Sequence, residues 1–299
     1  MALVPFDDRD GVIWMDGVMV PWREAKLHVL SHGLHYASGV FEGERAYAGN
    51  IFKLREHSDR LIRSGRILGF EIPYSADEID AACRQVVAAN GLVDAYVRPI
   101  AWRGTEQLSV SAQQTRIHLA IACWAWPNLF GADRMKGVRL GMAAWKRPHP
   151  ETAPTASKAA GLYMIGTLSK HAAEAEGWDD ALMLDWRGQV SEATGANVFL
   201  VLDGEVHTPT PDCFLDGITR RTVMSLARRH QMKVVERAIQ PEELARASEV
   251  FLAGTAAEVT PVREIAGRVY TPGPITETLL RDYDALVRMS PEEVAKRAA

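Results

Sequence analysis

The sequence predicts an α+β protein of two domains, and three observations support that class. The chain has 299 residues, more than one core commonly serves at about 100–200 residues per domain. Strand-like and helical runs follow one another without the strict alternation that a doubly wound parallel sheet requires. Periodicity then lapses in NLFGADRM, so a smaller N-terminal domain over 1–127, a linker over 128–136 and a larger C-terminal domain over 137–299 are expected.

Taken in order, IWMDGVMVPW from Ile13 reads as a hairpin around Asp16-Gly17, a dipeptide suited to the positive φ of a tight turn. AYAGNIFKL repeats the pattern around Gly49-Asn50. REHSDRLIRSGRIL sets Leu61, Ile62, Ile67 and Leu68 near helical spacing, with basic residues on the other side. Ser75 followed by Glu78 is a capping box for a second helix that closes at Gly91. AYVRPIAWRG and RIHLAIACWAW read as core strands. Beyond the linker come strand VRLGMAAW, a helix from Gly161 to Glu176, strand ALMLDW and a hairpin around Asp203-Gly204. Helix TRRTVMSLARRHQ and strands KVVERAI and SEVFLAGT follow.

Composition excludes several classes. Hydrophobic residues at 47% against 24% charged suit an ordinary globular chain, and a net charge of −4 without a basic run argues against nucleic acid. MALVPFDDRDGVIW puts acids where a secretion signal needs positive charge, and no apolar run reaches the roughly 18–20 residues that span a bilayer. Cys83, Cys123 and Cys213 are odd in number, far apart and without a CxxC pair. That pattern fits buried thiols in the cytoplasm and no metal site. No GxGxxG follows a strand, so a nicotinamide enzyme is not expected.

Four places carry possible chemistry. Lys158 in PTASKAAGLYM has small and apolar neighbours and no adjacent acid, so desolvation would favour the nucleophilic amine a Schiff base needs. On context alone, a loop lysine with its ammonium in solvent is the commoner case. Glu192, between a strand and a Gly-rich turn, suits a carboxylate that hydrogen-bonds a pyridinium nitrogen, or equally a cap or surface acid. In LDGITRRT, Gly217, Ile218 and Thr219 precede a helical run whose free amides suit a phosphate. GTAAEVTPV offers a second turn of small residues, Gly254 to Ala257; each turn by itself is more often a helix cap.

SHGLHYASGVFEGERAY, REHSDRL, AYVRPI, PTASKAAGLYM, SEATGANVF, LDGITRRT and LAGTAAEVTPV occur in one collinear order between about Ile13 and Arg263. Together they resemble the fold-type IV pyridoxal 5'-phosphate (PLP) enzymes, and within them the branched-chain amino acid aminotransferases. The resemblance implies the D-amino acid aminotransferase-like fold, with PLP between the two domains and a homodimer or higher oligomer completing the site. It makes Lys158 the Schiff-base lysine and proton shuttle, Tyr163 the partner of the cofactor phenolate oxygen and Glu192 that of the ring nitrogen. Arg60, Ile218, Thr219 and Thr255 would hold the phosphate. Tyr36, Phe41 and Gly43 would form the side-chain pocket, walled by Trp126. Tyr96 and Arg98 would lie near the substrate carboxylate, which the amides of Ala256 and Ala257 bind.

The reaction so implied moves an amino group between leucine, isoleucine or valine and a 2-oxo acid, 2-oxoglutarate, in two ping-pong halves. D-amino-acid and (R)-amine transaminases and aminodeoxychorismate lyases share the same core; the YxxxFEG and YxRP segments favour the L-branched-chain reading. Three features depart from the family pattern and bear on substrate range. Glu44 replaces an apolar residue after FEG, Ala196 replaces a carboxylate, and RGTEQLSVSAQQ replaces a Gly-rich loop.

Overall fold

A computed structural model describes residues 4–126 and 131–289, with backbone alone at 131–133. The chain divides into two compact units, Met1–Pro127 with Ser157–Gly161, and Asn128–Ala156 with Leu162–Ala299. Of the expected linker, residues 128–130 lie outside the described residues, and Gly131–Lys136 is a 3-10 helix. The expectation of a single boundary missed one feature. Ser157–Gly161 belongs with the first unit because Ala159 bridges Val40 and the Lys158 carbonyl accepts from the Phe41 amide at 3.1 Å.

The first unit runs β1 (Val12–Met15), β2 (Val18–Pro21), α1 (His32–Tyr36), β3 (Gly39–Phe41), β4 (Glu44–Tyr47), β5 (Asn50–Ile51), α2 (Leu54–Ile67), α3 (Ala76–Ala89), β6 (Ala95–Arg103) and β7 (Ile117–Ala125). Its sheet has the order β2-β1-β7-β6-β4-β5, with β3 also on β6. Asp16 and Gly17 take positive φ between Met15 and Val18, as the hairpin motif requires. The second hairpin turns at Ala48-Gly49, one residue earlier than expected, since Tyr47 pairs with Asn50. The Ser75–Glu78 capping box is formed. Trp14, Val40, Leu61, Ile79, Cys83, Val86, Val97 and Leu119 join one buried core. On α2 the expectation of basic residues opposite the apolar face holds for Arg55, Arg63 and Arg66 only; His57 and Arg60 share the buried side with Leu61. Buried charge partners, described below, reverse the usual preference.

The second unit contains β8 (Val138–Met142), α4 (Met164–Ala175), β9 (Asp180–Leu184), β10 (Val190–Ala193), β11 (Asn197–Leu202), β12 (Glu205–Pro209), α5 (Ile218–Arg229), β13 (Val234–Arg237), β14 (Glu249–Gly254), β15 (Glu258–Ile265), β16 (Arg268–Val269) and α6 (Pro274–Val287). The sheet order is β10-β9-β8-β15-β14-β11-β12-β13, and β10 also pairs with β11. Six strands therefore close on themselves, through the single residue pair Glu192↔Asn197. Leu140, Leu182, Val198, Leu200, Val250 and Val262 fill one core of this unit. Among the described residues no helix is long and apolar enough to cross a membrane, and the three cysteines are buried and unpaired.

Glu44 is fully buried in β4, and neither carboxyl oxygen has a hydrogen-bond partner among the described residues. Burial raises its pKa well above the usual carboxylate range. The charges of Glu42 and Asp80 add to that, while Cys83 and Arg60 offset it only in part. In the unfolded chain the same carboxyl ionises near pH 4.3. The folded state thus binds the extra proton, and stability is lost as pH rises from there toward the folded pKa. Replacing Glu44 with Gln removes this cost. The stability difference between E44Q and the parent, from urea melts at pH 5, 6, 7 and 8, should grow with pH until the folded-state carboxyl ionises, at no more than roughly 1.4 kcal/mol per pH unit. A pH-independent difference would show that Glu44 does not carry the buried proton.

Candidate active site

In the first unit the residues converge on Lys158. The Ser157 hydroxyl donates to the Ser64 carbonyl at 3.0 Å, and the Lys158 amide donates to the Ser64 hydroxyl at 3.0 Å. With the Phe41 bond on its other side, the Lys158 backbone is pinned to both α2 and β3. Its half-buried side chain places Nζ 5.0 Å from the Phe41 ring centroid. The lysine is close enough to His57 for its charge to lower the imidazole pKa.

Glu42, between β3 and β4, organises the neighbouring charges. Its two oxygens accept from Arg60 Nε at 2.6 Å and Nη2 at 2.8 Å, and Oε2 also meets His57 Nδ1 at 2.7 Å. Burial works to raise the Glu42 pKa, but Arg60 and His57 together hold it well below the usual range. For His57 burial outweighs Glu42 and the pKa falls, so the pair is a neutral imidazole donating N–H to a carboxylate. Arg60 is thus held rigidly at two nitrogens. Such an Arg presents a fixed fork to an anion.

Tyr96 on β6 stacks on Trp124 and lies 5.1 Å from Trp126, centroid to centroid. Arg98 donates through Nη2 to the Tyr96 hydroxyl at 3.1 Å and lies 4.7 Å from the Phe41 centroid. A Cβ on Gly43 would collide with that hydroxyl, so glycine is the residue that admits Tyr96 here. Phe41, Gly43, Tyr96, Arg98 and Trp126 accordingly form one aromatic and cationic wall. Tyr36 is different: it sits on α1, 46% exposed, with its ring stacked on His32.

In the second unit Glu192 lies on β10 at the ring closure and is almost wholly buried. Arg147 Nε is 2.9 Å from its Oε1, and the Asn197 amide donates to its Oε2 at 3.1 Å. That same amide nitrogen donates to the Leu215 carbonyl at 3.1 Å, which ties Glu192 to the segment entering α5. Gly217 caps α5 without a side-chain hydrogen bond, so the first-turn amides of Ile218 and Thr219 have no intrahelical partner. Arg220, next in line, is buried and holds this entry through Asp216, Thr208, the Pro209 carbonyl and Glu236. Thr255, Ala256 and Ala257 form the turn between β14 and β15, a hairpin and not a helix cap. Tyr163 is half-buried at the start of α4.

Sequence reasoning missed the residues that hold these groups: Glu42, His57 and Ser64 in the first unit, Arg147 and Asn197 in the second. Glu42 was readable as an acid inside an otherwise strand-like run. Arg147 carries no local signal, because its role exists only once β10 is folded beside it. Ala196 is buried, and a Cβ on Gly254 would stand 3.2 Å from its own Cβ, so a small residue suits that position. The RGTEQLSVSAQQ loop folds back through Gln114 N–H to Gln107 at 3.0 Å and leaves Val110 in solvent.

Residues 39–265 match the family model of class IV amino-transferases. A branched-chain-amino-acid aminotransferase of Pseudomonas aeruginosa is 43% identical over 288 residues, 94% of each chain. Among solved structures, a branched-chain aminotransferase from the archaeon Thermoproteus uzoniensis, with norvaline, superposes with a TM-score of 0.91 at 39% identity, covering 96% of this chain and 97% of that one. The branched-chain amino acid aminotransferase of Escherichia coli gives 0.90 at 36% identity over 95% and 97%. A further solved branched-chain amino acid aminotransferase, from T.th. and complexed with N-(5'-phosphopyridoxyl)-L-glutamate, gives 0.90 at 38% identity over 95% and 96%. The chain belongs to the class IV aminotransferases and, within that family, to the branched-chain-amino-acid aminotransferases.

Proposed function

We propose that this protein moves amino groups between L-branched-chain amino acids and 2-oxoglutarate in two ping-pong halves, with PLP carried on Lys158. The observation that carries the reading is the Glu192 array. A buried carboxylate is oriented by Arg147 and Asn197 and tied by Asn197 to the entry of a helix whose first amides are uncapped. A pyridine nitrogen and a phosphate are what such a pair of features accepts. The residues therefore fit the cofactor. One solved relative is complexed with the phosphopyridoxyl form of L-glutamate and another is found with norvaline, which supports both sides of the exchange.

When bound, PLP supplies an electron sink for the pair released at the substrate Cα. The chain does the rest. Arg60, the amides and hydroxyl of Ile218 and Thr219, and Thr255 would hold the phosphate, while the Tyr163 hydroxyl would donate to the phenolate oxygen. Glu192 would accept from the ring N–H and keep the proton there. Lys158 Nζ would anchor the cofactor and, as a free amine, would serve as the base that carries the substrate Cα proton. The Ala256 and Ala257 amides receive the substrate carboxylate beside Tyr96 and Arg98. Phe41, Gly43, Trp126 and Tyr36 line the side-chain pocket, and Arg98 supplies a cation for the glutamate carboxylate. Val29, Leu30 and Leu34 are exposed beside Tyr36 on the same short segment, which supports burial of this face in a homodimer. The working location is the cytoplasm.

Three outcomes test this. The absorption band of the PLP-loaded protein should bleach with L-leucine and with L-glutamate; bleaching only with D-alanine or an (R)-arylamine would move it to a sister specificity. Lys158→Ala should lower turnover by about 10⁴-fold or more with an unchanged circular dichroism spectrum. Parental activity after removal of free PLP would take the lysine out of this role. Glu192→Gln should slow Cα deprotonation in single-turnover mixing by about 10²-fold or more, while cofactor binding weakens far less. Equal single-turnover rates would remove Glu192 from the ring nitrogen.

A further inference from the structure

The RGTEQLSVSAQQ loop is braced at its base. The Gly104 amide donates to the Arg116 carbonyl at 2.9 Å, and Arg103 Nη1 donates to the Ala112 carbonyl at 2.8 Å. Its tip carries two exposed apolar residues, Leu108 and Val110. Between them, the Ser109 carbonyl lies 2.8 Å from His32 Nε2. A carbonyl can only accept, so Nε2 carries the proton and donates. In the neutral ring Nδ1 then accepts from the Ser38 hydroxyl at 2.6 Å.

His32 is buried at the start of the five-residue α1. Four residues on, Tyr36 stacks against its ring, with centroids 4.6 Å apart and planes at 24°. Ser38 leads directly into β3, which carries Phe41. One imidazole thus meets the loop tip, the entry to β3 and the Tyr36 ring. The helix beneath it is itself fixed: the His32 amide donates to the Gly104 carbonyl at 2.8 Å, and a Cβ on Gly33 would stand 3.0 Å from the Trp102 Cβ. What the imidazole decides is therefore how the loop tip and the Tyr36 ring stand to each other.

We propose that His32 is a positioning residue for the side-chain pocket. It locks the Leu108–Val110 tip to Tyr36, so that loop and tyrosine set the room for the substrate side chain as one unit. The proposal rests on the assignment of Tyr36 to that pocket and adds what holds the tyrosine in place. Without the two hydrogen bonds the Ser109 carbonyl and the Ser38 hydroxyl lose their partner, and the tip is released from the ring. A long side chain feels that loss; a methyl group, which leaves the pocket empty, does not.

His32→Phe keeps a ring against Tyr36 and removes both hydrogen bonds, whereas His32→Gln returns an N–H near the place of Nε2. In the PLP-loaded protein, H32F should raise the KM for L-leucine about tenfold with kcat little changed. The KM for L-alanine should stay near the parent value, and H32Q should recover most of the loss. Calorimetric affinity for 4-methylvalerate, a leucine-shaped acid with no amine to react, should fall by the same factor. Amide exchange over residues 105–114 should accelerate in H32F and slow again in H32Q. Unchanged exchange, or KM values for leucine and alanine that rise together, would overturn the proposal. Ser38→Ala removes only the hydroxyl that orients the ring, and answers the question should H32F fold poorly. Its leucine KM should rise while that for alanine stays; parental values for both would also overturn it. A parent protein that does not turn over L-leucine is a separate result: the transaminase reading fails there, and this proposal with it.

Discussion

A carboxylate removed from water must have its charge matched on the spot, and Glu42 imposes that condition on the first unit. Its oxygens are shared by Arg60 and His57, both on α2, so the helix can dock on the sheet in one rotation only. One turn beyond Arg60, Ser64 receives the Ser157–Lys158 segment. The placement of the Lys158 backbone is thus set by a chain of contacts that begins at a buried acid. Removing one member of such a buried pair commonly costs about 3–5 kcal/mol. Glu42 is therefore tied to both the packing of α2 and the position of the Lys158 backbone.

The second unit solves a different problem. A sheet with open edges leaves backbone groups unpaired, and here six strands meet in a ring. The closure is made at Glu192↔Asn197. Placing the acid at that closure has two effects: Arg147 reaches one oxygen, and Asn197 links the other to the loop before α5. A carboxylate and a helix N-terminus are then held in fixed register by one amide side chain. Gly217 belongs to this arrangement, since a Cβ there would run into the Asn197 side chain.

Buried acids are tolerated here in two ways. Glu42 and Glu192 have cationic partners, whereas Glu44, two residues from Glu42 and equally buried, has none for either oxygen among the described residues. Its neutrality follows from the same physics that keeps Glu42 charged: one Arg at bonding distance decides which form survives desolvation. Next to this strand, the stack of Trp124, Tyr96 and Trp126 with Arg98 makes a pocket wall that is apolar in its faces and cationic at one point.

Much of this protein was legible in the sequence. The Asp16-Gly17 and Asp203-Gly204 turns, the Ser75 cap and the two main helices of the first unit all follow from local geometry, which residue types dictate directly. The motif segments likewise pointed to Lys158, Glu192 and the α5 entry as chemical groups, and to the family. What the sequence left open was everything that depends on partners distant along the chain. The placement of His57 and Arg60 on the buried side of α2 is decided by Glu42, and the orientation of Glu192 by Arg147, 45 positions away. The Tyr96–Gly43 fit, the ring closure and the transfer of Ser157–Gly161 to the first unit are also tertiary outcomes. Local propensity has a range of a few residues; a desolvated charge selects its partner wherever in the chain that partner lies, and only the folded structure says which one it found.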